Sequence, residues 1–385
     1  MLEVSKSTFY MWDLGIFFES KLALILSIIL ITSFVIEIFY IIFFYFRAVY
    51  GKINISQNKP ALSVVIAARD EAHNLEKFLP LILKQDYWDF EVIVVDHAST
   101  DETDLVLKRF SQEYKNLVIR KIPYTKVSTH SKKFALTIGI RAAKNDVIIF
   151  TDADCYPASR EWLKKMASHF SEKIKITLGY GAYKEEKGLL DKHIRTDTMF
   201  IAMQYIGFAL RGLPYMGVGR NIAWRKSFFE EKNGFKKHIF EPSGSDDLFV
   251  NHNANKNNIG IEISHESFTY SLQPKTWKDF VYQKSRHFGS IKYYKFKYKL
   301  LLTLEPLARL GLLINAFAIV IIFNNLLPLI FVLFREILFF IAILGAKKRF
   351  KEKNILLYAL LYDVYQPILN LIIYIQRKKH SNRWK

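Results

Sequence analysis

Asp152 and Asp154 stand one residue apart, directly after the apolar run Val147-Ile148-Ile149-Phe150. Side chains in extended backbone alternate with a period of two, so both carboxylates leave the strand on the same side. Paired carboxylates with room for water and phosphate oxygens are a usual seat for Mg²⁺ or another hard divalent cation. The same Asp-x-Asp spacing is common in turns, so the surroundings must decide. Two more apolar runs end in acids: Leu62–Ala68 leads into Arg69-Asp70-Glu71, and residues 91–95 lead into Asp96-His97-Ala98-Ser99-Thr100-Asp101. With Lys+Arg 55 against Asp+Glu 36, net +19, acids gathered at strand ends are not what solvated loops give by chance. A second acid pair, Asp246-Asp247, follows Ser243-Gly244-Ser245. It reads either as chemistry or as the cap of a helix starting near Leu248.

The elements that must position these groups alternate. Residues 62–68 read as a strand, and 71–85 carry helical spacing through Leu75, Phe78, Leu79 and Ile82. Residues 91–95 are a strand, 101–110 a helix capped by Thr100 or Asp101, 117–122 a short strand, 131–143 a helix and 146–151 a fourth strand. This order predicts right-handed βαβ units and a mostly parallel sheet, whose strand C-termini gather the acids at one edge. Residues 161–260 are more mixed.

Apolar residues are unevenly spread. Residues 22–46 carry one charge, Glu37, and are long enough to cross a hydrocarbon core of about 30 Å as a helix, with Glu37 facing other helices. Runs 307–323 and 326–344, separated by Asn324-Asn325, suit a helical hairpin; run 355–375, with Asp363, Gln366 and Pro367 at its centre, either spans, re-enters or lies in the interface. Basic residues flank these runs at Arg47, Lys52, Lys347-Lys348-Arg349 and Arg377-Lys378-Lys379. That favours membrane lipids over nucleic acid as the partner, and the positive-inside rule places residues 47 to about 300 in the cytoplasm beneath the plasma (inner) membrane of a multi-pass protein. Three crossings after the domain would leave the basic tail outside, so the last run is expected not to cross, unless a further segment is hidden. The layout is then an N-terminal segment 1–21, an anchor 22–46, a domain 47–300, two to three membrane helices in 301–376 and a basic tail 377–385. A lone cysteine, Cys155, excludes an internal disulfide and fits a reducing compartment.

Four stretches in order across residues 61–160, SVVIAARDEAHNL, EVIVVDHASTDET, KKFALTIGI and DVIIFTDADCYP, resemble the nucleotide-sugar-binding half of family 2 glycosyltransferases. These are inverting enzymes of the α/β GT-A fold, a Rossmann-like, mostly parallel sheet with flanking helices. The resemblance implies a donor half at 61–160 and an acceptor half at 161–290, with membrane helices at both ends. It implies that Asp96 binds the base of a UDP-sugar, with Ala67 and Glu71 bordering that pocket. Asp154 would hold Mg²⁺ or Mn²⁺, Asp152 would meet ribose or sugar, and Lys133 or its neighbour Lys132 would approach the diphosphate. Asp246-Asp247 stands where relatives carry Glu-Asp, so Asp247 resembles the catalytic base and Asp246 its support. Gln283-Lys284-Ser285-Arg286-His287 resembles the Gln-x-x-Arg-Trp motif, which assigns Gln283 and Arg286 to the donor diphosphate; His287 replaces the tryptophan that lines the acceptor site. Gly219 and Arg220 complete the expected acceptor region, where glycine permits close backbone approach. Trp277 and the aromatic run 293–298 suit a membrane interface. The implied activity is hexosyl or N-acetylhexosaminyl transfer to a lipid or lipid-linked glycan. A processive polysaccharide synthase and a non-catalytic scaffold are the alternatives, and the missing tryptophan leans away from the first.

Overall fold

The computed structural model describes residues 20–53, 58–123, 131–241 and 243–377. Helix α1 (Lys21–Tyr50) leads into a domain of β1 (Leu62–Ala68), α2 (Ala72–Leu83), β2 (Phe90–His97), α3 (Thr103–Glu113), β3 (Leu117–Ile122), α4 (Lys132–Ala142) and β4 (Val147–Phe150). There follow β5 (Cys155–Pro157), α5 (Trp162–Ala167), β6 (Ile176–Leu178), β7 (Gly181–Tyr183), α6 (Leu189–Leu210), β8 (Ile222–Arg225), α7 (Lys226–Glu231), α8 (Asp247–Asn253), β9 (Ile259–Ile261), β10 (Thr269–Ser271) and α9 (Trp277–Ile291). The chain closes with α10 (Phe296–Phe323), α11 (Pro328–Arg349) and α12 (Leu356–Gln376).

All seven residues of β1 are buried, which is why it reads as an apolar run broken only by Ser63, whose hydroxyl donates to Glu91 at 2.6 Å. Strands β3, β2, β1 and β4 are parallel neighbours; β8 joins β4 antiparallel, and β6 and β9 extend the same sheet. Val65, Ala67, Ile93, Val95 and Ile148 enter one core, while Val64, Ile66, Val92, Val94 and Ile149 enter another. The alternation is that of a sheet covered on both faces. A smaller sheet, β5-β10-β7, stands beside it.

The expected elements are present with shifted ends. The helix expected at 101–110 starts at Thr103, yet Asp101 still caps: its carboxylate accepts from the Thr103 amide at 3.0 Å and from the Ala72 amide at 3.0 Å. One aspartate thus satisfies free N–H groups of two helices and ties the β1–α2 and β2–α3 loops together. Thr100 does not cap α3; its amide donates to Asp70 at 2.7 Å.

Four helices, α1, α10, α11 and α12, are long and apolar enough to cross a membrane. Glycine lets α1 and α10 approach closely, because a Cβ on Gly311 would meet Ser33 Oγ at 2.5 Å. Between the helices Glu37, Glu305, Arg309, Arg335 and Asp363 are almost fully buried. Arg335 donates to Glu37 at 2.9 and 3.0 Å, and Arg309 donates to the Asp363 carboxylate at 2.7 Å. Arg309 also donates to the Asp363 carbonyl at 2.9 Å, the acceptor that Pro367 leaves without an i+4 donor. Glu37 therefore faces other helices, as its lone charge requires.

The anchor helix continues past the apolar run 22–46 to Tyr50 and is built into the domain. Phe44 stacks on Phe208 of α6 with ring centroids 4.0 Å apart, and a Cβ on Gly207 would lie 2.3 Å from the Phe44 carbonyl oxygen. Burying each such ring contributes about 1.5–3 kcal/mol, so α1 is fixed to the domain rather than tethered.

Candidate active site

A cavity of about 820 Å³ lies where the C-terminal end of β4 meets α8, α9, α10 and α12. Asp152, Gly219, Arg220, Asp246 and Asp247 line one side, and Gln283, Arg286 and His287 of α9 line another. Segments spread over more than 130 positions of sequence thus converge on one space.

β4 ends at Phe150, so Asp152 and Asp154 stand in the loop and turn beyond it and not on alternating strand positions, yet the turn still brings their carboxylates together. Asp152 forms an ion pair with Lys132 at the start of α4. Asp154 accepts from Ser271 Oγ at 3.2 Å and from the Cys155 thiol at 3.4 Å. Burial, then the adjacent Asp152, raises the Asp154 carboxyl above its ordinary range; Arg220 and Lys132 oppose this. Ligand atoms of Asp152, Asp154 and Cys155 lie within 4.8 Å of one another. Burial, followed by the two aspartates, pushes the Cys155 thiol well up, so it stays protonated and the usable donors are carboxylate oxygens. That hard donor set fits Mg²⁺ or Mn²⁺.

Lys132, not Lys133, faces this station. Although burial alone would lower it, Asp152, with Asp246 and Asp154 beyond, holds the Lys132 ammonium above its usual value. Lys133 is buried and committed elsewhere, donating to the carbonyls of His238, Glu241 and Ser243 at 2.7, 3.1 and 2.6 Å. Burial lowers its ammonium to about 8. Its work is to hold the loop that delivers Asp246 and Asp247.

Asp246 precedes α8 and accepts from the Gly219 amide. A Cβ on Gly219 would sit 3.2 Å from the Asp246 carboxylate, so glycine keeps that approach open. Asp247 is 8% exposed and opens α8. Its carboxylate accepts from Ser290, from Tyr294 at 2.8 Å and from the Leu248 amide at 2.8 Å. Burial, then Asp246, pushes its carboxyl up to about 6 despite those hydrogen bonds. A carboxylate poised there is largely ionised at neutral pH and still basic enough to take a proton. Tyr294 corrects the expectation that residues 293–298 are interface anchors: Tyr294 and Tyr298 are 6% and 2% exposed and belong to the core, whereas Phe296 and Trp277, at 79% and 47%, face outward.

Thr276 caps α9 by accepting from the Asp279 amide at 3.2 Å. Lys284 on its buried side pairs with Asp197 of α6, which also accepts from Tyr362 of α12. That junction fixes the helix rotation that turns Gln283, Arg286 and His287 to the cavity. Tyr183 donates to Gln283 at 3.0 Å, and the Arg220 guanidinium lies 4.2 Å from the Tyr183 ring centre. Arg220 also acts electrostatically on both Asp154 and Asp152 while lining the same cavity as Gly219 and His287. His287 is exposed and opens onto the cavity beside Arg286.

Ala67, Glu71 and Asp96 lie at the same sheet edge but outside this cavity. In register Asp96 neighbours Ala68, while Ala67 neighbours Val95. Asp96 is buried and accepts from the Ser99 amide at 3.2 Å, and Glu71 accepts from Asn74 at 2.5 Å. The residues that the spacing did not single out are Asp197, Ser290 and Tyr294; polar partners placed far along the chain leave no local signal.

A mostly parallel sheet flanked by helices, with acids at its C-terminal edge, is the α/β architecture of the chain. The family described as Glycosyl transferase family 2 matches residues 63–240, and the chain carries a family 2 glycosyltransferase domain of GT-A fold. Glycosyltransferase AglE of Haloferax volcanii is 32% identical over 114 residues, 29% of this chain and 36% of that protein. The Escherichia coli enzyme named UDP-Glc:alpha-D-GlcNAc-diphosphoundecaprenol beta-1,3-glucosyltransferase WfaP is 29% identical over 129 residues, 33% of this chain and 47% of that protein. The chain therefore spans less than half the length of either relative. Mannosyltransferase PcManGT from Pyrobaculum calidifontis, solved with GDP-Man and Mn²⁺, shares the fold at a TM-score of 0.54 and 16% identity, covering 89% of this chain and 99% of that one.

Proposed function

We propose that the protein transfers a hexose or N-acetylhexosamine, with inversion, from a UDP-sugar to a hydroxyl of a lipid or lipid-linked glycan. The observation that carries this reading is the continuity of the cavity: the space lined by Asp152, Asp247 and Arg286 is also lined by Leu302, Pro306 and Leu310 of α10 and by Pro367, Asn370 and Leu371 of α12. Leu307 and Leu371, both on its lining, are 60% and 53% exposed, which suits an apolar chain entering there. The acceptor named for WfaP is itself linked to a diphosphate lipid, which agrees with this.

Asp247 takes the proton of the attacking hydroxyl as the new C–O bond forms at the anomeric carbon and the bond to the diphosphate oxygen breaks. Asp246 holds the Gly219 backbone beside it. Arg286 and Lys132 stand at the cavity wall where departing diphosphate charge is met. Asp152 and Asp154 would hold Mg²⁺ or Mn²⁺, which supplies further neutralisation of that charge when bound. Asp96, Ala67 and Glu71 would border the base of the nucleotide at the neighbouring strand ends. The domain faces the cytoplasm in this reading.

Nucleotide release from a panel of nucleotide sugars by membranes containing the protein tests the donor. UDP release from one UDP-hexose or UDP-N-acetylhexosamine is expected. Release from GDP- or dTDP-sugars alone would refute the donor assignment.

A further inference from the structure

We infer that α12, although long and apolar enough to span, lies flat in the bilayer surface on the side of the α/β domain and is that domain's docking face for membrane lipid. Its 21 residues extend about 31 Å, the thickness of a hydrocarbon core, so a crossing would carry its far end to the opposite face. Both ends instead rest on the domain. Near its start Tyr358, and at its middle Tyr365, meet the His193 imidazole of α6, each at 3.0 Å. At its end Arg377 donates to the Phe288 carbonyl of α9 at 3.4 Å, and the Tyr374 ring centre lies 6.3 Å from that of Phe288. Helix α9 carries Lys278, Asp279, Lys284 and Arg286 within three turns and cannot sit in hydrocarbon.

The most exposed apolar residues of α12 form one stripe. Leu357, Leu361, Val364, Ile368, Leu371 and Ile375, 48–79% exposed, recur at alternating steps of four and three, the period of a single helical face. Its buried side carries Tyr362, Asp363 and Pro367. Its one charge, Asp363, is satisfied inside by Arg309 and Arg335, so the side turned away from the protein is apolar and suits lipid. Charge selects the lipid: Lys347, Lys348, Arg349, Lys351 and Lys353 precede the helix, and Arg377-Lys378-Lys379 follow it, so both ends suit the same anionic leaflet. With α1, α10 and α11 crossing, the domain and the basic tail then lie on one side, which removes the conflict that three later crossings created.

The test uses full-length protein in sealed membrane vesicles of known orientation and a membrane-impermeant maleimide, with the buried Cys155 of the parent protein as background. Lys353→Cys before the helix, Gln376→Cys at its end and Asn257→Cys on the domain surface are expected to label together in one vesicle orientation and to be protected together in the other. Labelling of Gln376→Cys in the orientation opposite to Lys353→Cys overturns the inference. Depth-dependent quenching of a fluorophore on Leu361→Cys, Ile368→Cys and Ile375→Cys keeps the question decidable if an end variant misfolds. Equal, shallow depths are expected; a central Ile368 flanked by sites in opposite leaflets overturns it.

Discussion

The carboxylate station after β4 and the pocket of Asp247 are built in different ways. Asp152 and Asp154 follow one strand end and Lys132 starts one helix; Asp152 pairs with Lys132, and Asp154 takes a single distant side-chain hydrogen bond, from Ser271. Asp247 depends on Lys133 holding its loop, on Ser290 and Tyr294 holding its carboxylate, and on the Asp197–Lys284–Tyr362 junction placing the helix opposite. The second shares its supports with the membrane-facing helices, so the placement of Asp247, and of Arg286 on the helix opposite, is tied to them, whereas Asp152, Asp154 and Lys132 rest at the edge of the sheet.

Several substitutions separate the two regions. The largest effect is expected for Asp247→Asn, which removes the proposed base: kcat falls about 10²–10⁴-fold in a nucleotide-release assay, with donor KM little changed. Asp154→Asn should instead weaken Mn²⁺ binding, followed by electron paramagnetic resonance, by more than about 100-fold, and leave the fold intact by circular dichroism. Lys284→Met leaves Asp197 buried without its cation. It is expected to cost about 3–5 kcal/mol of stability in thermal unfolding and to lower kcat, whereas Lys132→Met, at the more accessible station, changes unfolding far less. If Lys132→Met destabilised the protein as much as Lys284→Met, the contrast between the regions would fail.

The smallest effect is on pH dependence. The ionised form of Asp247 is the active one, and its carboxyl is raised to about 6, so kcat is expected to be full above pH 7 and to fall as pH drops through about 6. Tyr294→Phe removes a hydrogen bond that favours the carboxylate and should move that midpoint upward. A midpoint near the ordinary carboxylate value in both proteins would show that the group is not buried as described.

The same division explains what could be read in the sequence. Strands β1, β2 and β4 were legible because burial on both faces writes them as apolar runs, and the acids at their ends follow by position. Lys132 and Lys133 could not be told apart, since adjacent residues on a helix differ by about 100° in direction and only packing chooses between them. Tyr294 reads as an interface anchor because rings among lysines look alike whether they face lipid or core; its partner lies 47 positions away. Asp363 and Pro367 looked like defects in an apolar helix, and only the positions of Arg309 and Arg335 show how both are satisfied.

The central claim is that the reacting groups and the membrane helices serve one cavity, so the acceptor is held by its lipid. Mass spectrometry of the lipid extract after incubation of membranes with the preferred UDP-sugar measures this directly. The account predicts a lipid species heavier by one hexose or N-acetylhexosamine residue, absent with Asp247→Asn. Sugar found only as free monosaccharide or as soluble polymer, with no lipid gaining mass, would contradict it.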